Sequence, residues 1–267
     1  MPESLYATPK IVTDLKQCCF YHTLEIPDVG VVDGIYDLRE SFDDYVGPIS
    51  FDGSRVLEIG PGSGFLTFEM EKRGAEVVSI ELSNDVAWDY VPFNPFDSPL
   101  LADWIAEQRI VLEKTQNGYW FAHRHFDSNA KVHYGSAYDI PEELGHFDCS
   151  IMASVLLHNR DPLRIISNCA QVTKNTLVII DQHDRELEEP GMPLLRFIPT
   201  RENGLAGTWW HLSHAFLKQY LRCLGFVEVS FSVTTLHHTP VLGGPTNALD
   251  SFSLVAQRSS TPPPADR

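Results

Sequence analysis

The chain is 267 residues long, with 43% hydrophobic residues, 21% charged residues and a formal net charge of −16. Its length and composition fit one large α/β domain with additions, and its acid excess disfavours extended binding of nucleic acid, whose phosphates attract Lys and Arg. The sequence contains neither a run of about twenty apolar residues nor a signal-peptide pattern, so we expect a cytoplasmic protein that does not bind membranes.

The cysteines and histidines show no pattern typical of a metal site. None of the eleven histidines forms the His-x-x-x-His pair of a zinc helix, and no metal is predicted. Five cysteines without metal or disulfide spacing are expected to be reduced thiols: Cys18, Cys19, Cys149, Cys169 and Cys223.

Residues 1–50 precede the first predicted strand of the sheet. They contain two segments rich in polar and aromatic side chains, Tyr21–Pro27 and Gly34–Arg39. This density of specific residues is not typical of a loose tail. Tyr21 and Tyr36 are either packing residues with hydrogen-bonded hydroxyls or part of a segment that covers a ligand.

The rest of the chain is organised around residues 55–69, which read RVLEIGPGSGFLTFE. Arg55–Ile59 is predicted to be an apolar strand, residues 60–64 a turn that needs glycine at positive φ, and the following residues a helix that covers a sheet. These three elements in this order make a nucleotide cradle, with backbone N–H groups facing the ligand. The later strand Val77–Glu81 ends in a carboxylate suited to ribose hydroxyls, although a solvated strand end would also explain Glu81.

The loop has the spacing Glu58-x-Gly60-x-Gly62-x-Gly64. It differs from the G-x-G-x-x-G loop of dinucleotide dehydrogenases and resembles the first motif of class I S-adenosylmethionine (SAM) dependent methyltransferases. Alone, it would also fit another nucleotide binder or a structural turn. The resemblance implies an α/β fold with a Rossmann-like, doubly wound, seven-stranded sheet of order 3-2-1-4-5-7-6, whose last strand is antiparallel. It also implies SAM as cofactor, bound by Glu58, the three glycines and Glu81.

One subgroup of this family is similar over roughly residues 18–256. Its members include enzymes that modify the wobble uridine of tRNA and many small-molecule methyltransferases. The resemblance lies in the two N-terminal segments and in the aromatic segment Asn117–Arg124, and it implies that residues 1–50 fold over the cofactor as a lid. An insertion, residues 83–130, replaces the usual short helix after the second strand and is predicted to be helical. Its aromatic residues suit either an acceptor pocket or ordinary core.

The third predicted strand, Lys131–Tyr134, leads into a loop that borders the adenine in this family. The resemblance therefore places Ser136, Ala137 and Tyr138 in the cofactor site. Ser136 stands where the family often has Asp, which weakens the usual acceptor for the adenine amine. Tyr138 or Asp139 are the candidates to compensate.

The fourth predicted strand, Phe147–Ala153, is followed by Ser154 and by the segment Val155–Pro162. Ligands of open α/β sheets bind outside the carboxyl ends of the strands, near the switch in strand order. Ser154 is accordingly assigned to the cofactor site, and His158 to the place where the acceptor meets the methyl group. The family has a similar apolar pair followed by His at this point.

The C-terminal part is predicted to contain a fifth strand, Leu177–Asp181, and then an irregular loop over the site, residues 182–208. Ser213 is a predicted N-cap for a helix that ends at Gly225. The closing antiparallel pair is Phe226–Phe231 with Ser251–Ala256. We therefore divide the chain into a lid segment (1–50), a methyltransferase domain (51–257) that includes the insertion, and a disordered tail (258–267).

The resulting hypothesis is an enzyme that moves the methyl group of SAM to an oxygen or nitrogen of a small molecule. Two alternatives remain: methyl or carboxymethyl transfer to the wobble uridine of tRNA, and a SAM-binding protein without activity. A hydroxyl acceptor must lose a proton, which a neutral imidazole can accept near neutral pH. His158 is the first candidate for this base, and His22 and His211 on the predicted lid elements are second candidates. His158 is alternatively a packing residue that holds its loop.

Overall fold

The structure, a computed structural model, describes residues 4–84, 89–93, 99–189, 191–238 and 247–260. The elements before the insertion are β1 (Leu24–Ile26), β2 (Gly30–Val32), α1 (Phe42–Val46), β3 (Arg55–Ile59), α2 (Phe65–Lys72) and β4 (Glu76–Glu81). The next are α3 (Pro99–His125), β5 (Lys131–Tyr134), β6 (Phe147–Ala153), α4 (Pro162–Val172), β7 (Thr173–Gln182) and α5 (Arg185–Glu188). The last are β8 (Leu195–Phe197), β9 (Trp210–Leu212), α6 (His214–Cys223), β10 (Phe226–His238) and β11 (Asn247–Arg258).

Seven strands form one sheet in the order β10-β11-β7-β6-β3-β4-β5. Strands β3 to β7 pair in parallel, whereas β11 is antiparallel to both of its neighbours. When only the strands of this sheet are numbered along the chain, their order is 3-2-1-4-5-7-6 with the last strand antiparallel, so the predicted fold class is confirmed. The strand order switches between β3 and β6, and this switch leaves a crevice at their carboxyl ends.

The sheet is covered on both faces, which is why its central strands are mostly apolar. Alternate residues of β3, β6 and β7, such as Val56, Ile151 and Val178, face a core that includes side chains of α1, α2 and α3. Their neighbours Leu57, Met152 and Ile179 face a second core built with α4 and α6. The two cores hold the carboxyl ends of the strands, and the loops that follow them, in a fixed relation.

The predicted insertion contains the 27-residue helix α3. Its residues Tyr119, Trp120 and Phe121 are buried, so these aromatic side chains are part of the hydrophobic core. Gly118 lets the N-terminal segment approach the helix, because an added Cβ would lie 2.6 Å from the carbonyl oxygen of Cys19. Residues 85–88 and 94–98 of the insertion lie outside the described ranges. Within those ranges no helix, α3 included, is both long and apolar enough to cross a membrane.

The prediction of an irregular loop over residues 182–208 is wrong in part. This stretch contains α5, which Asp184 caps by accepting a hydrogen bond from the Leu187 amide, and β8, which pairs with β9. Both elements are too short to show a period in the sequence, and β8 depends on a partner strand that follows after twelve intervening residues.

The last strand of the sheet includes the first residue of the predicted C-terminal tail. Arg258 is the last residue of β11 and pairs with Phe226. Its guanidinium donates hydrogen bonds to the carbonyls of Ala170 and Thr173, both at 2.6 Å, which prolongs the strand. Residues 261–267 of that tail lie outside the described ranges.

Candidate functional site

The glycine loop after β3 has a backbone that only glycine adopts readily. Gly60, Gly62 and Gly64 have φ values of 70°, 56° and 91°. A Cβ on Gly60 would lie 2.9 Å from the Val155 side chain, whereas a Cβ on Gly62 would meet nothing closer than 3.9 Å. Gly60 is therefore required by packing inside the protein, and Gly62 borders the more open side of the loop.

Glu58 lies beneath this loop and is buried. Its carboxylate accepts hydrogen bonds from the hydroxyl of Thr67 on α2 and from that of Ser79 on β4, the latter at 2.9 Å. Burial raises the pKa of Glu58 to about 7, and the two hydrogen bonds act in the opposite direction. Glu58 was predicted as a cofactor ligand. Its described hydrogen bonds instead connect β3 to α2 and β4 beneath the loop.

We expect Glu58→Gln to change how stability depends on pH. A glutamate in the unfolded chain has a pKa of about 4.3. Because the pKa of folded Glu58 is raised to about 7, its stabilising contribution is complete below about pH 4 and is lost as the pH rises through about 7. Glutamine cannot ionise, so the free energy of unfolding of the variant relative to wild type should rise by about 2–3 kcal/mol between about pH 5 and pH 8.

Urea unfolding at several pH values measures this difference, and Glu113→Gln, an exposed carboxyl on α3, is the control. A difference between wild type and Glu58→Gln that stays constant with pH would mean that Glu58 titrates like an exposed glutamate.

Glu81 lies at the carboxyl end of β4, beside the glycine loop. Its carboxylate accepts a hydrogen bond from the Leu82 amide at 2.6 Å and another from the amide of Gly62. Burial raises the pKa of Glu81 to about 7, and these hydrogen bonds lower it. The inserted helix supports this corner, because the side-chain amide of Gln116 donates to the carbonyl of Leu82 at 2.9 Å. Glu81 and the loop are therefore directly joined.

The N-terminal segment lies over the same loop. The amide of Tyr21 donates to the hydroxyl of Ser63 at 3.0 Å, and the ring of His22 lies 5.3 Å from that of Phe65, the first residue of α2. Burial lowers the pKa of His22 to about 3, so its imidazole is neutral. Its Nδ1 is buried and has no hydrogen-bond partner among the described residues.

The predicted adenine loop lies next to Glu81, since the Gly135 amide donates to the Glu81 carbonyl at 2.9 Å. The hydroxyl of Ser136 accepts from the Tyr138 amide at 3.2 Å. The hydroxyl of Tyr138 donates to the carboxylate of Asp89 and accepts from the amide of Asp161 at 3.0 Å. These side chains tie the loop to the insertion and to the start of α4.

Ala137, also predicted for this loop, accepts at its carbonyl from the side-chain amide of Asn168 on α4, at 3.1 Å. The predicted loop is therefore held in place by hydrogen bonds, both within the loop and to other parts of the protein.

A second polar group lies at the carboxyl ends of β6 and β7. Ser154 has a φ of 54°, and its hydroxyl lies 3.5 Å from that of Tyr45. Asp181 is 2% exposed and accepts from the amides of Leu157, at 3.1 Å, and Gln182, at 2.8 Å. Burial raises the pKa of Asp181 to about 7, against these two hydrogen bonds.

Two residues of this group, Asp181 and Tyr45, were missed by sequence reasoning. Asp181 carries the same signal as Glu81, a carboxylate at the end of an apolar strand, and this signal could have identified it. Tyr45 carries none, because only tertiary packing brings α1 to the end of β6.

His158 ends a short 3-10 turn, Leu156–His158, after β6. Its Nδ1 lies 2.6 Å from the carbonyl oxygen of Gly207. A carbonyl only accepts, so Nδ1 carries the hydrogen of the neutral ring and Nε2 carries the lone pair. Desolvation of the ring by the surrounding protein lowers the pKa of His158 below the ordinary histidine value, and the hydrogen bond to Gly207 acts in the opposite direction. The residue nevertheless keeps an exposed surface.

His211 lies on β9 and is held differently. Its Nδ1 is 2.9 Å from a carboxylate oxygen of Asp184, and the Arg196 guanidinium lies 2.9 Å from the same oxygen. The three predicted histidines therefore occupy three places: His22 over the glycine loop, His158 after β6 and His211 on the β8–β9 hairpin. Within the described ranges, no three His, Cys, Asp or Glu side chains converge as a metal site.

Among curated proteins, two relatives share sequence with this chain. The tRNA U34 carboxymethyltransferase of Dichelobacter nodosus (strain VCS1703A) is 26% identical over 223 residues, which are 82% of this chain and 60% of that protein. The biotin biosynthesis bifunctional protein BioHC of Cellvibrio japonicus (strain Ueda107) is 39% identical over 62 residues, 23% of this chain and 11% of that protein. The chain thus spans less than two thirds of the length of either relative.

The same fold occurs in the crystal structure of the N-terminal domain of EvdMO1 with SAH bound. The TM-score is 0.51 at 17% sequence identity, over 82% of this chain and 79% of that chain. A family model described as a methyltransferase domain matches residues 35–229, most of the chain. The chain therefore belongs to the methyltransferase-domain family and has the Rossmann-like fold of the class I SAM-dependent methyltransferases.

Proposed function

We propose that this SAM-dependent methyltransferase acts on an oxygen or nitrogen of a small molecule, with His158 as the general base. The observation that carries the proposal is the contact of His158 Nδ1 with the carbonyl oxygen of Gly207, which leaves Nε2 as the ring nitrogen able to accept a proton. The ring stands after β6, across the switch in strand order from the glycine loop and Glu81. This is the position where an acceptor would approach a methyl group presented from the loop side.

The residues at the crevice fit SAM. Glu81 is a buried carboxylate at a strand end, suited to accept both ribose hydroxyls. Gly62 leaves room above a loop whose amides suit the methionine end, and the buried Nδ1 of His22 beside α2 lacks a partner within the described protein. Ser136, Ala137 and Tyr138 would border the adenine, and Ser154 the methyl-donor side. When bound, SAM supplies a methyl group on a positively charged sulfur.

His158 would then remove the proton of the acceptor. The oxygen of a hydroxyl acceptor would form a bond to the methyl carbon as the bond from that carbon to sulfur breaks and S-adenosylhomocysteine leaves. The proton of the broken O–H bond would pass to Nε2 of His158 and from there to solvent. An amine that is already neutral needs no base before the transfer. His22, with a pKa lowered to about 3, is too weakly basic for this role near neutral pH. His211 remains the second candidate, since Asp184 orients its ring as well.

The charge distribution favours a small acceptor over RNA. The net charge is −16, and many cationic side chains are already engaged by carboxylates. The pairs include Arg39–Asp37, Arg73–Glu69, Lys131–Glu76, Lys174–Asp148, Arg185–Asp250, Arg196–Asp184 and Lys218–Glu228. Binding of a phosphate backbone depends on cations that are free to replace counterions. The relative that modifies tRNA U34 supports tRNA as the second candidate.

Transfer from SAM with a labelled methyl group tests the proposal. The protein is incubated with labelled SAM and either a panel of small phenols, alcohols and amines or total tRNA, and the products are separated by size. We expect label in a small-molecule product that appears only with active protein. Label in tRNA alone would reject the small-molecule acceptor in favour of the second candidate.

A further inference from the structure

Hydrogen bonds to the backbone of Leu157 hold the turn that carries His158 from two sides. Below the turn, the amide of Leu157 donates to the buried carboxylate of Asp181 at 3.1 Å. Above it, the carbonyl of Leu157 accepts from the amide of Trp209 at 2.7 Å. Leu157 is thus held between Asp181 on β7 and the segment that contains Trp209.

The segment above the turn, residues 206–210, forms a strap. It is itself tied to its surroundings by the amide of Val91, which donates to the carbonyl of Ala206 at 2.8 Å. The indole of Trp209 donates to the carbonyl of Asp89 at 3.2 Å, and that of Trp210 to the carbonyl of Arg160 at 3.0 Å. The strap therefore has a defined position over the His158 turn.

The strap also contacts the ring of His158 directly, through the carbonyl of Gly207 at 2.6 Å. On its other side, Gly207 lies against the inserted helix α3. A Cβ added to Gly207 would lie 3.0 Å and 3.2 Å from two ring atoms of Trp104, which is tighter than most packing contacts, so the Trp104 ring or the strap would have to shift. Glycine is therefore the residue that lets the strap fit between Trp104 and His158.

We propose that the strap is a positioning element for His158, and that the Gly207 carbonyl selects the tautomer in which Nε2 is the unprotonated nitrogen. The ring of Trp104 on the inserted helix limits the space on the other side of Gly207, and Asp181 holds the turn from the sheet. This inference rests on the proposed function only where Nε2 accepts the proton of the acceptor. The tautomer and the support of the strap are properties of the protein without acceptor.

The tautomer is measured directly by NMR. Long-range proton–nitrogen correlation on protein labelled with ¹⁵N-histidine distinguishes Nδ1–H from Nε2–H, at about pH 8 where an ordinary imidazole is neutral. The signals of His158 are identified by their loss in His158→Asn. We expect His158 to be in the Nδ1–H form. A ring that is mainly in the Nε2–H form would overturn the proposal.

A variant set tests the support. Gly207→Ala should displace the carbonyl and give His158 a mixture of the two tautomers. Replacing Trp104 by Leu in the same protein removes the obstructing ring and should restore the Nδ1–H form. Leu205→Ala, at an exposed side chain just before the strap, is the matched control and should leave the tautomer unchanged. An unchanged tautomer in folded Gly207→Ala would overturn the role of the strap.

Hydrogen exchange of the wild-type protein gives a measurement that needs no variant. The Trp209 amide should exchange slowly, because it donates to Leu157, and fast exchange would overturn the contact. Failure of the proposed function looks different. A methyl-transfer rate in His158→Asn equal to wild type, with the Nδ1–H form present in wild type, would reject the base while supporting the strap as the element that sets the ring.

Discussion

His158→Asn is expected to lower kcat by about 10²–10⁴ for a hydroxyl acceptor, while SAM binds almost as tightly as in the wild type. The Asn amide can replace the Nδ1–H donor towards Gly207, but it cannot accept a proton near neutral pH. The turn should therefore keep its place while the base is lost. Single-turnover transfer, with an acceptor found in the labelled-SAM screen, measures the chemical step.

His158→Gln is the companion variant. Its amide is closer to the position of Nε2, so the hydrogen bond to Gly207 is lost along with the base. We expect it to be as slow as His158→Asn and less stable to heat. If His158 only holds its loop, His158→Asn should instead retain the wild-type rate, and this result would end the catalytic assignment while leaving the SAM site intact.

Glu81→Ala is expected to weaken SAM binding by at least about tenfold, which corresponds to about 1.4 kcal/mol. The proposed role of Glu81 is to accept the ribose hydroxyls, and each hydrogen bond to a charged group contributes about 1.5–3 kcal/mol. Titration calorimetry measures the affinity. Glu76→Ala, at the exposed other end of the same strand, is the control and should bind SAM normally. Normal affinity in a folded Glu81→Ala protein would show that this carboxylate does not bind the ribose.

The pH dependence of binding gives a second readout for Glu81. Burial raises the pKa of Glu81 to about 7, and the ionised carboxylate is the better acceptor for hydroxyl groups. Binding should therefore release a proton, and the affinity of the wild type should rise with pH through about 7 and then level off. Glu81→Gln cannot ionise, so the part of the pH dependence that belongs to Glu81 should be absent from it.

The sequence alone determined the central part of the fold. Arg55–Ile59, Lys131–Tyr134 and Phe147–Ala153 were predicted with the bounds that the structure shows. The first and the third are central strands, and a largely apolar strand that is buried on both faces can be predicted without knowledge of its partners. Lys131–Tyr134 is an edge strand that is only partly buried, so this reason does not apply to it. The glycine loop was predictable for a similar reason, since positive φ is a property of single residues. Glu81 followed from its place at the end of such a strand.

Tertiary structure decided what those residues contact. Glu58 belongs to the recognised motif, but only the fold shows that its carboxylate binds Thr67 and Ser79 under the loop. The β8–β9 pair consists of strands of three residues, which are too short to leave a period in the sequence. The position of Tyr45 beside Ser154 depends on a partner far along the chain. The ring of His158 is set by the carbonyl of Gly207. A backbone carbonyl is the same in every residue, so no sequence pattern could have identified this contact; only the packing of the strap between Trp104 and the His158 turn brings it there.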